Sequence, residues 1–139
     1  MPKAKKRLTA LLLALAVAAG AVLLYCLPKT FLRGVTPAEV CRISVFDGST
    51  GVGFSVEEPE AIRHIVETVQ SVKLKREGLS LGYMGYGLRM SFVGEGDREL
   101  AVFDLNGEDT VRKDPFFYRC EGGLPVAYVR ELEKTSAGE

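Results

Sequence analysis

The sequence is poor in the groups that most often carry chemistry. It holds one histidine, His64, and three cysteines, Cys26, Cys41 and Cys120. With one imidazole, neither a histidine pair for a metal nor a Ser-His-Asp arrangement can be built without His64. No nucleophile motif surrounds a serine or cysteine, and His64 falls on the polar side of a helical stripe, the ordinary place for a solvated histidine. A thiol pair of His64 with Cys41 or Cys120 is conceivable, but no spacing favours it. A surplus of positive charge is also missing: 18 Lys and Arg face 18 Asp and Glu, and Lys3, Lys5, Lys6 and Arg7 precede the first apolar run. Removing those four leaves 14 against 18, a net charge of −4 from Pro28 onward. That balance argues against nucleic acid, whose binding needs a clustered basic surface. There are no internal repeats.

What the chain has is the uncharged run Leu8 to Leu27, closed by Pro28. As a helix it covers roughly 30 Å, the thickness of a bilayer's hydrocarbon core. The basic residues before it place the N-terminus in the cytoplasm and the remaining chain outside the cell membrane. Two rivals are a cleaved signal peptide, with Ala16-Val17-Ala18 or Ala18-Ala19-Gly20 as the cleavage site, and a lipoprotein acylated on Cys26. The apolar run continues through Tyr25 where a signal peptide turns polar, and Tyr25 is bulky where a lipoprotein has a small residue. Both rivals leave the domain in the same compartment.

An oxidising exterior permits a disulfide between Cys41 and Cys120, which in the chain-entropy model would contribute roughly 4 kcal/mol. Two buried free thiols are the alternative.

The rest reads as a basic tail over 1–7, the span over 8–27, an aperiodic linker over 28–35, one domain over 36–134 and a short tail over 135–139. Thr36-Pro37-Ala38-Glu39 carries a capping-box pattern. Cys41, Ile43 and Val45, then Val52, Phe54 and Val56, alternate on either side of the turn residues Asp47 to Gly51, which predicts a β-hairpin. From Pro59, the apolar residues Ile62, Ile65, Val66, Val69 and Val72 form one helical stripe. Gly78 to Gly87 reads as an irregular loop or a kinked edge strand. Tyr86, Leu88, Met90 and Phe92 give the clearest strand, turned at Gly94 to Asp97 into a return strand around Leu100 and Val102. Asn106-Gly107 signals another hairpin, with a short strand over Thr110 to Lys113. Phe116-Phe117-Tyr118 is aromatic core or a surface anchor, and a last helix begins near Pro125 with Val129 and Leu132 facing inward. The fold class is α+β: an N-terminal transmembrane helix, then an antiparallel sheet of about five strands packed by two helices.

The anchor, the TPAEV turn, the hairpin with ISVFDGSTG, the helix EPEAIRHIVETVQSV and the strands YGLRMSFV and RELAVFDLNG resemble a group of small anchored or lipidated extracytoplasmic domains of Gram-positive bacteria. The likeness is one of pattern over roughly Thr36 to Glu133, and the group has no assigned function.

Asp104 to Glu108 imitates the first half of a calcium loop, but Asp109 stands where Gly is required and Pro115 where Glu is required, so a polar hairpin turn accounts for it. Gly82, Gly85 and Gly87 precede a strand rather than a helix, which removes the phosphate-loop reading. The functional reading of this loop is a rim in which Tyr83, Met84 and Tyr86 offer contact area to a partner. Lys73, Lys75 and Arg76 either touch anionic headgroups or stay solvated near a helix C-terminus. No cofactor is implied. The expectation is a membrane-tethered, non-catalytic domain binding a protein or envelope component. The alternatives are a secreted inhibitor or immunity-type domain and a small envelope hydrolase or thiol enzyme using His64.

Overall fold

The computed structural model describes residues 2–82, 85 and 87–137. Helix α1, Pro2–Cys26, has 25 residues and buries none of them, so at about 1.5 Å per residue it is some 37 Å long. An 18-residue stretch of it reaches a mean hydropathy of 2.4, so the helix is long and apolar enough to cross a membrane.

The other elements are β1 (Arg42–Asp47), β2 (Val52–Val56), α2 (Pro59–Ser71), β3 (Lys75–Leu79), β4 (Leu88–Val93), β5 (Glu99–Leu105), β6 (Thr110–Lys113), β7 (Phe116–Arg119) and α3 (Val126–Ala137). The strands form one antiparallel sheet in the order β2-β1-β4-β5-β6-β7-β3. The α+β class is as the alternation predicts, but among the described residues the sheet has seven strands rather than about five. The two unforeseen strands have physical reasons. β3 is an edge strand whose Lys75, Glu77 and Leu79 are exposed, so it has no apolar alternation, and its pairing shifts between Arg76 and Gly78. β7 runs through three consecutive aromatic residues, which hides its period of two.

β2 and β3 follow each other in the chain yet lie at opposite edges of the sheet. α2 makes the crossing, burying Ala61, Ile62, Ile65, Val66 and Val69 against the sheet's inner face. That face is built from directly paired residues, such as the row Val45, Met90 and Phe103, whose side chains share one side of the pleat. Val129 of α3 completes the core.

The segment 28–35 differs from the expected linker. It lacks regular structure, as its aperiodic sequence implies, but it is packed: Phe31 and Leu32 are buried. The Phe31 ring meets Phe103 and Tyr118 edge-on at 5.2 and 5.0 Å. Gln70 of α2 donates to the carbonyls of Leu32 and Val35 at 2.8 and 2.6 Å. Lys29 exchanges two backbone hydrogen bonds with Leu74, just before β3. The domain therefore begins directly after α1.

Candidate functional site

Where α1 meets the sheet, one cation gathers three aromatic rings. The Arg76 guanidinium lies 4.8 Å from the ring centroid of Tyr25, 4.9 Å from that of Phe116 and 5.9 Å from that of Tyr118. It donates to the Tyr25 carbonyl at 3.1 Å, one of the last carbonyls of α1, where the helix dipole favours a cation. Its Nε is buried without a hydrogen bond, and loss of water strengthens the attraction of a cation to ring faces. The rings of Tyr25 and Phe116 also meet edge-on at 5.7 Å. Of the three cations Lys73, Lys75 and Arg76, Arg76 is thus committed to holding the helix end.

Beside this junction an open cleft of about 980 Å³ runs from Pro28 and the end of α2 to the loop after β7. Lys73, Lys75, Arg119, Glu77 and Glu121 are among the residues that line it. Arg119 Nε pairs with Glu77 Oε2 at 2.7 Å across the β3 and β7 pair. The walls carry both charge signs.

The glycine-rich loop is moored on both sides. Ser80 is buried, its N–H donates to the Pro115 carbonyl at 2.8 Å and its Oγ to Asp114 Oδ1 at 2.5 Å. Arg112 Nη1 donates to the Gly85 carbonyl at 3.1 Å. Gly87 N–H donates to Asn106 Oδ1 at 3.0 Å, and a Cβ on Gly87 would stand 2.5 Å from the Leu105 carbonyl oxygen, so the close approach of β4 to the hairpin requires glycine there. Tyr83, Met84 and Tyr86, the rim residues of the sequence reading, lie outside the described residues.

Asp104 belongs to an ion-pair network and not to a calcium loop. It is buried in β5, accepts from Arg89 Nε at 2.9 Å, and lies 4.0 Å from Arg112, which in turn pairs with Asp114 at 3.1 Å. Hydrogen bonds from Ser80, then Arg112, hold the Asp114 carboxyl below its ordinary ionisation range. Among the described residues no three His, Cys, Asp or Glu side chains gather as a metal site.

His64 is exposed on α2, with its ring 4.1 Å from that of Tyr128 in α3. Its ring partner is an aromatic, and the fold leaves it on an open surface rather than in a cleft with a thiol. Cys41 and Cys120 are free. Cys41 precedes β1 at the sheet end marked by Val93, while Cys120 follows β7 at the opposite end, with β4, β5 and β6 between their strands. Four strand spacings separate them by about 19 Å, far beyond the roughly 7 Å that a disulfide tolerates.

A second buried polar cluster closes the other side. Asp47, fully buried at the end of β1, accepts from the Ser49 N–H at 2.8 Å and pairs with Arg130 of α3. Thr50 Oγ1 donates to Glu133 Oε1 at 2.8 Å. Burial alone would raise the Asp47 carboxyl, but the Ser49 N–H, Glu133 and Arg130 together hold it below its ordinary value. Nothing in the sequence pairs Asp47 with Arg130, 83 positions away, although its place in a turn cluster marks it as a turn former.

The fold defines a class: a small α+β domain carrying an N-terminal apolar helix of membrane-spanning length. Comparison with protein-family models, curated protein sequences and solved structures returns no match.

Proposed function

We propose that the chain is a single-pass membrane protein whose α+β domain stands outside the cytoplasm and binds a protein or envelope component without catalysing a reaction. The observation that carries this reading is the junction of Arg76 with Tyr25. The exposed apolar helix passes into the domain with no slack, its last turn gripped by the sheet. The basic residues before α1 support the orientation. The pattern shared with anchored extracytoplasmic domains of Gram-positive bacteria supports the compartment. Confinement to the membrane raises the effective concentration toward membrane-borne partners, so a modest affinity suffices. The mixed-charge cleft between Lys73 and Glu121 and the rim with Tyr83, Met84 and Tyr86 are its recognition surfaces.

The test is crosslinking of the full-length protein in its native membrane, with captured species identified and a Tyr83→Ala/Tyr86→Ala double variant run beside it. One species captured by the wild type and lost in the variant is expected. Capture of nothing specific from protein or envelope polymer would overturn the reading.

A further inference from the structure

We propose that Leu79 and Leu81 are a second membrane contact, entering the outer leaflet beside α1 so that the domain is seated on the lipid at two points. This rests on the reading of α1 as a membrane span. Beyond Leu27, these two leucines are the most exposed large apolar side chains among the described residues, at 67% and 70%, against 40% for Phe46 and Val52. They are held outward. Ser80 between them is buried and fixed by hydrogen bonds to Pro115 and Asp114, so neither leucine can turn in without breaking that mooring.

Their place relative to α1 selects lipid as the occupant. Leu79 is directly paired with Phe116, so the two side chains share a face. Phe116 in turn touches Tyr25, in the last turn of α1, at 5.7 Å between ring centroids. A spanning helix places such an aromatic at the level of the headgroups. Leu79 is therefore continuous with the apolar surface of α1 at the depth where a side chain leaves hydrocarbon for headgroups. Lys75 is exposed on the same strand and Lys29 adjoins its start, a placement that suits anionic headgroups. Interfacial segments elsewhere bury apolar side chains about 5–10 Å into this boundary.

The chain has no tryptophan, so single substitutions give reporters without background. Leu15→Trp in α1, Leu79→Trp, Leu81→Trp and Val52→Trp on the far edge strand would each be reconstituted as the full chain in dioleoylphosphatidylcholine vesicles, with and without bromine on the acyl chains. Emission at 79 and 81 should shift to the blue and fall by roughly half with brominated lipid, as insertion to interfacial depth requires, while emission at 52 stays that of water. If 79 and 81 behave as 52 does while 15 is quenched, the second contact is overturned and the anchor stands. Equal quenching at 52, 79 and 81 also overturns it. An unquenched reporter at 15 overturns the span itself, and this inference with it.

Discussion

Arg76 and Tyr25 join helix to sheet through two different forces, a ring-face contact at 4.8 Å and a hydrogen bond to the Tyr25 carbonyl at 3.1 Å. A planar guanidinium can do both at once; an ammonium cannot stack and bond in that geometry. Replacing Arg76 by Ala should cost roughly 1–2 kcal/mol, with Lys failing to restore it. Hydrogen exchange should locate the loss in 24–30 and 74–77. Uniform protection in the Arg76→Ala protein would contradict the coupling.

Phe31 tests whether the segment after the helix is core. Phe31→Ala should destabilise the domain by about 3–5 kcal/mol, the cost of emptying a packed aromatic site, read as a fall in the denaturation midpoint in urea. A slack tether would give a change near zero.

Gly87 and Gly53 separate two kinds of glycine. A Cβ at 87 would collide with the Leu105 carbonyl at 2.5 Å, whereas at 53 its nearest neighbour is the Phe46 ring at 3.5 Å. Gly87→Ala should therefore cost roughly 1–3 kcal/mol and Gly53→Ala less than about 0.5. Paired thermal melts of the two variants decide it.

Asp47 and Asp114 both ionise below their ordinary value of 3.8. A carboxyl depressed by folding contributes stability above its unfolded value and loses that contribution as pH falls through the folded one. Stability should hold from neutral pH down to about pH 4 and decline below it. Asp47→Asn should flatten part of that decline and cost about 1–2 kcal/mol at neutral pH, a figure kept low because Arg130 is partly solvated. An unchanged acid limb would contradict the role of the Asp47 pair.

Cys41 and Cys120 should both react with a thiol reagent in the folded, unreduced protein, Cys41 the faster because it is exposed. The melting temperature should not respond to reductant. A reductant-dependent melt would require the sheet order to be different.

Legibility in the sequence follows burial. Ile43 and Val45, the run from Leu88 to Phe92 and the stripe from Ile62 to Val69 announce their elements because each has one wet face and one dry face. Lys75 to Leu79 and Phe116 to Arg119 do not, one being exposed at an edge and the other opening with three consecutive aromatic residues. Phe31 is silent for another reason: a single core side chain on an irregular segment has no period to reveal it. Arg76 was visible as a charge, but its role depends on three rings brought from two distant segments. Helix α1 buries none of its residues, so its length and composition can be read directly.

The placement of β3 sets an order in time. Among the described residues its one strand neighbour is β7, paired over Phe116 to Arg119, so as the chain leaves a ribosome or a translocation channel β3 emerges long before that strand can pair with it. The hairpin of β1 and β2 can zip from local contacts, and β4 to β6 can follow by short turns, but the far edge must wait for the closure of a long loop, the slow kind of step in folding. The rings of Phe116 and Tyr118 that meet the Arg76 guanidinium arrive with β7, so the full grip on the end of α1 forms only after β7 has been made.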